Sequence, residues 1–227
     1  MPLAFVTGAG KGIGRAITGR LLAAGWKVAG LTRSAADVAA LNALPGTRFA
    51  AADVTDTDAL GQAVAETLGE DTPLNLLVNN AGAFTYGRFE DIDANTLEAL
   101  WRANVLGPFL VTRALLPALR KGQGRIVNIV SMAALKPLPG KAAYCAAKAA
   151  EAALFRCLRE EIAADGVRVT NVHPGITLTS SFDGEAVDPA AMMAPADVAE
   201  AVLHAATQPG NGVIEELVLQ PARGMRL

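Results

Sequence analysis

A tyrosine and a lysine stand four residues apart in AAYCAAKAA, a stretch at positions 142 to 150 that is otherwise almost all alanine. In a helix, a spacing of four places both side chains on one face, leaning in the same direction. A phenol can give and take a proton, but a free tyrosine, with a pKa of about 10, holds that proton too tightly near neutral pH. A nearby ammonium stabilises the phenolate, so Tyr144 and Lys148 are candidates for an acid/base pair.

A glycine-rich turn near the N-terminus is a candidate phosphate site. The first apolar run leads into TGAGKGIGRAI, where Gly8, Gly12 and Gly14 stand at the change from strand to helix. Glycine permits a tight turn and a close backbone approach, and the N–H groups at the helix start suit a pyrophosphate. The spacing G-x-x-x-G-x-G differs from the generic G-x-G-x-x-G fingerprint. We predict a dinucleotide site, and a bare strand-to-helix turn is the alternative.

The charges beside this turn indicate which dinucleotide binds. Folds that prefer NAD usually carry an acidic residue at the end of the second strand, where it binds the ribose 2′-hydroxyl. Here that strand ends in GLTRS, with Thr32 and Arg33, and Lys11 lies inside the glycine-rich turn. Two cations at these positions would pair with a 2′-phosphate, which predicts NADP(H). Asp37, in the next helix, leaves NAD as the alternative.

The elements that must position these residues follow from the hydrophobic pattern. Short apolar runs alternate with longer alanine-rich segments of helical period, which indicates repeated βα units. The predicted strands are LAFVT, KVAGLT, TRFAA, LNLLVN, RIVNIV, VRVTNV and VIEELVLQ, and the predicted helices cover about 12–24, 35–43, 56–69, 94–119, 142–164 and 196–207. Continuously apolar strands are buried on both faces. We predict an α/β fold: one Rossmann-like, doubly wound domain over residues 1–227, with a seven-stranded, mostly parallel sheet and helices on both faces.

Two irregular stretches are expected within this framework. Pro108 and Pro117 should break or bend the fourth helix, because proline removes a backbone donor. The stretch 180–195, SSFDGEAVDPAAMMAP, has the composition of a loop and is the candidate for a substrate flap.

Composition argues against several kinds of partner. The chain has 20 basic and 22 acidic residues and a net charge of -2, so we expect neither nucleic acid nor an anionic membrane as a partner. The N-terminal apolar run is too short for a signal sequence or a spanning helix. Cys145 and Cys157 would lie too far apart on one helix to form a disulfide. These features predict a cytoplasmic protein with free thiols.

An ordered set of motifs resembles that of the short-chain dehydrogenase/reductase family. The motifs are TGAGKGIG, NNAG at 79–82, Asn104 in RANVLGPF, Ser131 in IVSMAA, YCAAK, and HPGITLT at 173–179. Several follow predicted strands, at the sheet edge where open α/β folds bind ligands. The resemblance covers nearly the whole chain and implies hydride transfer between a nicotinamide and a carbonyl carbon.

The resemblance also implies a role for each of the catalytic candidates. Tyr144 would be the acid or base, and Lys148 would be its electrostatic partner and a ligand of the nicotinamide ribose. Ser131 would hydrogen-bond the substrate carbonyl and polarise it, and Asn104 would hold a water that relays protons to Lys148. The two histidines, His173 and His204, are interpreted as structural, because the mechanism already has its acid.

The candidate cofactor-binding residues combine the turn, the second strand and the resemblance. They are Gly8, Lys11, Gly12, Ile13, Gly14, Thr32, Arg33, Asp53, Val54, Asn80, Ala81, Gly82, Tyr144, Lys148, Pro174, Gly175, Thr177 and Thr179. Thr177 stands where the family pattern usually has an aliphatic residue, whereas Thr179 keeps the threonine of the pattern.

These observations predict an NADPH-dependent carbonyl reductase that also oxidises the alcohol in reverse. Its substrate would be a small uncharged ketone or aldehyde, because the segments around the site offer apolar side chains, namely Phe84, Tyr86, Met132, Leu135, Leu138, Met192 and Met193. The alternatives are an NADP-binding redox sensor without turnover, an NAD-dependent dehydrogenase and a 3-oxoacyl-type reductase. We expect no metal site, and the resemblance implies a homodimer or homotetramer.

Overall fold

A computed structural model describes residues 1–180 and 188–222, and the strands in this part of the chain form one parallel sheet. They are β1 Leu3–Thr7, β2 Lys27–Thr32, β3 Thr47–Ala51, β4 Leu76–Asn79, β5 Arg125–Ile129, β6 Arg168–Pro174 and β7 Glu216–Leu219. The order across the sheet is β3-β2-β1-β4-β5-β6-β7, with every neighbouring pair parallel. The predicted α/β class and seven-stranded sheet are confirmed, and the sheet is wholly parallel.

The helices fall where the hydrophobic period predicts them. They are α1 Gly12–Ala23, α2 Ala35–Asn42, α3 Thr57–Thr67, α4 Ala94–Trp101, α5 Gly107–Gly122, α6 Ala142–Ile162 and α7 Pro195–Thr207. Three helices have a capping side chain at the residue before their first turn, and it accepts a backbone N–H of that turn: Ser34 for α2, Asp56 for α3 and Asp93 for α4. Among the described residues, no helix is long and apolar enough to cross a membrane.

The sheet is covered on both faces, as its apolar strands predict. Alternate side chains of β1 point to opposite faces of the sheet and enter two different cores. Ala4 and Val6 pack with α1, α2 and α7, while Phe5 packs with α3, α5 and α6. All three side chains are fully buried. The strand ends that carry the motifs are therefore held by two independent hydrophobic cores.

A π-helical turn, Arg102–Leu106, joins α4 to α5 within the predicted fourth helix. Pro108 follows this turn, and because proline has no N–H, it cannot bond the carbonyl of Asn104 four residues earlier. The irregularity predicted near Pro108 is therefore present. Pro117 lies inside α5 without ending it, so of the predicted break or bend, a break is absent there.

Buried amides cross the carboxyl half of the sheet in a row. Asn79 Nδ2 donates to Asn128 Oδ1 at 2.9 Å, Asn128 Nδ2 donates to Asn171 Oδ1 at 3.0 Å, and Asn171 Nδ2 donates to Glu216 Oε1 at 3.2 Å. The four residues occupy β4 to β7 at matching register. Because a slip of one residue would bury unpaired amides, this row helps fix the relative positions of the strand ends.

The predicted flap is described only in part, because residues 181–187 lie outside the described residues. Its second half returns beside the HPG motif: Leu178 N–H donates to the Met193 carbonyl at 2.9 Å, and Met193 N–H donates to the Ile176 carbonyl at 3.0 Å. Met193 is buried in the core shared with α1 and α7. The prediction that Met193 lines the substrate region is therefore wrong.

Candidate active site

One cavity of about 830 Å³ opens at the carboxyl ends of the strands and extends from the glycine-rich turn to Tyr144. Asn104, Ser131, Tyr144 and Lys148 all line it, and so do the predicted cofactor-binding residues apart from Gly14. These residues come from eight separate segments of the chain. The cavity follows from the topology, because the connections after parallel strands meet at one edge of a sheet.

Gly14 serves packing, while Gly8 and Gly12 shape the turn. A Cβ on Gly14 would clash with the Gly8 carbonyl and lie 2.5 Å from Asn80 Nδ2, so glycine lets α1 start close to the strands. Gly8 and Gly12 have φ of 65° and 53°, a conformation that favours glycine. A Cβ on Gly12 would meet Thr179 at 3.3 Å, so the turn and the segment after β6 face each other.

The NNAG motif is tied to the end of β1. Asn80 Nδ2 donates to the carbonyls of Thr7 and Gly8 at 2.9 and 3.1 Å. In return, Thr7 Oγ1 accepts the N–H groups of Asn80 and Ala81, both at 3.0 Å. This exchange joins the glycine-rich turn to the loop after β4, so each segment helps fix the position of the other.

Lys11 and Arg33 are exposed at one end of the cavity. In the described part of the chain neither forms an ion pair, so both are available to an anion. Asp53 lies nearby, and the Thr55 N–H that bonds its Oδ1 at 2.8 Å lowers the pKa of the carboxyl, with Arg33 and Arg102 acting in the same direction. Asp53 is therefore ionised at neutral pH.

Asp37 also reaches this end of the cavity, although it belongs to the first turn of α2. A Cβ on Gly10 would clash with the Asp37 carboxylate and would lie 2.8 Å from Thr32 Oγ1. The Asp37 carboxylate and the Thr32 hydroxyl thus occupy the space where a side chain at Gly10 would lie. An acidic group is therefore present near the predicted adenosine site, a few ångströms from the glycine-rich turn.

Tyr144 stands half-buried at the other end, against an aromatic side chain from the loop after β4. The ring of Phe84 meets the Tyr144 ring edge to face, with centroids 4.9 Å apart and planes at 87°. The ring of Tyr86 also packs on Phe84, with centroids 4.7 Å apart, and Lys141 Nζ lies 4.7 Å from the Tyr86 centroid. These contacts orient the Tyr144 ring and place a cation near the cavity mouth.

Lys148 is buried below Tyr144 and is held by two groups of the protein itself. Its Nζ donates to the Ile129 carbonyl at 2.9 Å and to Glu151 Oε2 at 2.8 Å. An ammonium has three hydrogens, so one remains for the cavity that Lys148 lines. Burial lowers the pKa of Lys148, but the charges of Glu151 and Tyr144 outweigh it, and the net direction is upward.

Ser131 follows β5, and its position is set by a buried histidine. The Ser131 hydroxyl oxygen accepts the Ala133 N–H at 3.1 Å, which leaves its own hydrogen for another acceptor. His173 Nδ1 lies 3.1 Å from the Ser131 carbonyl, and its Nε2 pairs with Glu216. His173 is fully buried and does not line the cavity, which agrees with its interpretation as structural.

Asn104 lies in the π-helical turn and is buried. Its Nδ2 donates to the carbonyls of Ala83 and Leu100, both at 2.9 Å, and its Oδ1 accepts the Ala83 N–H at 3.3 Å. A Cβ on Gly82 would lie 2.7 Å from Asn104 Oδ1 and 3.7 Å from Lys148 Nζ. The missing side chain of Gly82 therefore leaves a gap between Asn104 and Lys148.

The sequence interpretation missed three charged residues near this site. Arg102 lines the cavity beside Asp53, and Lys141 lines it beside Tyr144. Glu151 is 2% exposed and contacts Lys148. The sequence alone could have indicated Glu151, because a glutamate three residues after Lys148 falls on the same helix face as Tyr144, in a helix that is otherwise rich in alanine. In the described part of the chain, no cluster of side chains could hold a metal ion.

Comparison with known proteins identifies the family. The family model described as short chain dehydrogenase matches residues 2–188. An uncharacterised oxidoreductase of Mycobacterium tuberculosis is 40% identical, over 96% of this chain and 90% of its own length. Sepiapterin reductase of Chlorobaculum tepidum is 32% identical, over 97% of this chain and 96% of its own.

A solved structure agrees over the full length. The X-ray structure of an alcohol dehydrogenase from the archaeon Thermococcus sibiricus, complexed with 5-hydroxy-NADP, matches with a TM-score of 0.91 and 25% identity. It covers 100% of this chain and 99% of that one. The sheet, the motifs and the sequence relatives point to the same group of enzymes. The chain belongs to the short-chain dehydrogenase/reductase family and is an oxidoreductase.

Proposed function

We propose that this protein is an NADPH-dependent carbonyl reductase, which in reverse oxidises an alcohol with NADP⁺. The observation that carries the proposal is one cavity lined by Lys11 and Arg33 and also by Tyr144 and Lys148, which lie one turn apart on α6. The archaeal alcohol dehydrogenase with 5-hydroxy-NADP and the bacterial sepiapterin reductase among the relatives support a nicotinamide cofactor and a carbonyl or alcohol substrate.

The residues of the cavity fit a nicotinamide dinucleotide. Gly8 and Gly12 allow close backbone approach, and the start of α1 offers N–H groups to a pyrophosphate. Lys11 and Arg33 would hold a 2′-phosphate through charge-assisted hydrogen bonds. When bound, the cofactor supplies or accepts the hydride. Lys148, with one hydrogen left, would bind the nicotinamide ribose.

Tyr144 would give its hydroxyl proton to the substrate oxygen during reduction and take it back during oxidation. The ammonium of Lys148 would stabilise the negative charge that develops on the Tyr144 oxygen as its proton leaves. The edge-to-face contact with Phe84 helps hold the Tyr144 ring in place. Asn104 and the gap over Gly82 support the predicted water relay to Lys148.

Ser131 would donate its remaining hydrogen to the same substrate oxygen and polarise the carbonyl. Ser131→Ala is expected to lower kcat by about 10²–10³-fold, as loss of one such donor does in other enzymes. Steady-state kinetics measure the change, and fluorescence titration should give an NADPH Kd close to wild type. Ser131→Thr keeps a hydroxyl and should retain more activity than the alanine variant. A kcat within threefold of wild type in Ser131→Ala would contradict the role.

The substrate region would be mainly apolar. Phe84, Met132 and Leu138 line the cavity near Tyr144, which supports an uncharged ketone or aldehyde. Leu135 is exposed and Tyr86 reaches the cavity only through Phe84, so these two side chains contribute less than the sequence predicts. Lys141 brings a cation to the mouth, where a polar group of a larger substrate could lie.

NAD as the cofactor is a second candidate, and the position of Asp37 favours it. The carboxylate closes over Gly10 beside Thr32, where it could accept a hydrogen bond from a ribose hydroxyl and would repel a 2′-phosphate. Lys11 and Arg33 oppose this effect with two positive charges. The ratio of kcat/KM for NADPH and NADH decides between the two cofactors.

A panel of aldehydes, ketones, diketones and β-keto esters tests the proposed function. Purified protein is mixed with NADPH and each carbonyl, and we expect loss of NADPH absorbance with at least one class. Tyr144→Phe, run in parallel, should abolish that loss. If NADPH binds tightly and no carbonyl is reduced, a redox sensor without turnover becomes the better interpretation.

Assembly and location stay predictions. A homodimer or homotetramer is supported by large apolar side chains at the surface of α4 and α5, where Trp101 is 50% and Phe109 39% exposed. A small-molecule substrate, without nucleic acid or membrane as a partner, is supported by the net charge of -2. The cytoplasmic location is supported by the two free thiols of Cys145 and Cys157.

A further inference from the structure

Glu151 is a buried carboxylate that the proposed hydride and proton transfers do not use. It lies three residues after Lys148 on α6, and its Oε2 is 2.8 Å from Lys148 Nζ. The two side chains are 2% and 6% exposed, so water hardly reaches either of them. Burying a charged pair is costly unless the geometry is good, so a glutamate at this place needs a physical reason.

We propose that Glu151 is a positioning residue of this site: it fixes the Lys148 ammonium beneath Tyr144 and supplies the counter-charge that keeps it protonated there. The proposal rests on the proposed function, since it concerns the lysine that would act on Tyr144 and on the nicotinamide ribose. Glu151 itself would touch neither substrate nor cofactor.

The two partners of Lys148 have different effects. The Ile129 carbonyl orients one N–H but carries no net charge, whereas the Glu151 carboxylate both orients a second N–H and stabilises the positive form. Because two hydrogens of the Lys148 ammonium are bonded to Ile129 and Glu151, the ammonium cannot rotate freely, and its third hydrogen points to the cavity. Glu151 therefore affects both the direction and the charge of the ammonium.

The pKa directions agree with this geometry. Burial lowers the pKa of Lys148, and the first opposing influence is the charge of Glu151. Burial also raises the pKa of Glu151, and the Lys148 ammonium offsets part of that rise, so the net direction is upward. Each group thus favours the charged form of the other. Without the carboxylate, burial would remain and the ammonium would lose its proton at lower pH.

Other ionisable groups lie on the elements packed against α6, and three of them are bonded elsewhere. The elements packed against α6 bring Glu98 of α4, Arg102 of the π-helical turn, Asp165 after α6, and Arg168 and His173 of β6. Asp165 pairs with Arg120, His173 with Glu216, and Arg168 with the Gly210 carbonyl. In the described part of the chain, Glu151 and Tyr144 are the groups whose charges act on Lys148.

The test measures the ionisation of Lys148 in the protein without cofactor or substrate. Lysine labelled with ¹³C at Cε reports the charge of each ammonium by NMR, and Lys148→Met identifies the signal of Lys148. We expect Glu151→Gln, which keeps the length and one acceptor oxygen, to move the Lys148 titration midpoint to lower pH by at least about one pH unit. Glu151→Asp, which keeps the charge, should move it less.

Glu160→Gln is the matched control, because it removes the same charge from an exposed position of the same helix. It should leave the Lys148 midpoint within about 0.3 pH unit of wild type, since exposed charges at a distance are screened. In the active enzyme, the alkaline limb of the pH profile of kcat should shift to lower pH in Glu151→Gln and should be unchanged in Glu160→Gln. A role limited to folding would change stability without moving either titration.

The reciprocal variant keeps the proposal testable if Glu151→Gln does not fold. Lys148→Met removes the ammonium, so the Glu151 carboxyl, followed by ¹³C at Cδ, should titrate at higher pH than in wild type. An unchanged Lys148 midpoint in Glu151→Gln, or an unchanged Glu151 midpoint in Lys148→Met, would overturn the proposal. Neither titration requires turnover, so a failure of the proposed reductase activity would be seen separately, in the carbonyl panel.

Discussion

Tyr144→Phe is expected to lower kcat for carbonyl reduction by about 10²–10⁴-fold, the usual contribution of a general acid. The phenylalanine keeps the ring and its edge contact with Phe84, 4.9 Å between centroids, so the cavity should keep its shape. Only the proton donor is lost. The effect should therefore appear in kcat, with the NADPH Kd within about twofold of wild type, since the change removes one hydroxyl and leaves both phosphate-binding cations in place.

Tyr86→Phe is the matched control for this prediction. The sequence has only two tyrosines, and Tyr86 packs on Phe84 at 4.7 Å without lining the cavity. The same loss of a hydroxyl there should leave kcat within about twofold, because it removes no group that meets the substrate oxygen. If Tyr144→Phe kept substantial kcat, or if both variants lost it equally, the assignment of Tyr144 as the acid would be wrong.

Replacing Lys11 and Arg33 together by serine is expected to reverse the cofactor preference. Each charge-assisted hydrogen bond to a 2′-phosphate contributes about 1.5–3 kcal/mol. Loss of both should lower kcat/KM for NADPH by about 10²–10⁴-fold, since about 1.4 kcal/mol corresponds to a factor of ten. The value for NADH should change little, because NADH has no 2′-phosphate for the two cations to bind.

The carboxylate of Asp37 should affect the cofactor preference in the opposite direction to Lys11 and Arg33. Asp37→Asn removes the negative charge that closes over Gly10, so it should improve kcat/KM for NADPH, and more so at low salt, where repulsion is less screened. Lys27→Ser removes an exposed cation at the start of β2, away from the cavity, and should leave both cofactors unaffected. A wild-type protein that strongly prefers NADH would contradict the assignment of Lys11 and Arg33 and favour Asp37 as a ribose ligand.

Much of the fold could be predicted because its signals are local. Valine- and leucine-rich runs bounded by glycine and polar residues identified the strands to within a few residues, since strands buried on both faces must be apolar throughout. The prediction for α4 and α5 was less accurate. A π-helical turn forms where Pro108 cannot donate to the Asn104 carbonyl, and its exact place depends on the bonds of Asn104 to Ala83, which lies in another segment.

One prediction about the site, for Met193, was wrong, and one candidate, Gly14, has a packing role that its motif does not reveal. Met193 had the composition of a flap residue, yet its backbone pairs with Ile176 and Leu178 and its side chain enters the core. Gly14 matched the cofactor motif, but the approach of α1 to the Gly8 carbonyl explains the need for glycine there. Both outcomes depend on tertiary packing, which a motif does not describe.

The sequence by itself determined the order of strands and helices, the glycine-rich turn, and the i, i+4 pairing of Tyr144 with Lys148, because each depends on neighbours within one turn or one strand. Only the tertiary structure decided that Glu151 reaches Lys148 in a space closed to water and that Asp37 lies over Gly10. A charged side chain has the same helical spacing whether it is solvated or buried. What it does depends on the segments packed around it, and those come from distant parts of the chain.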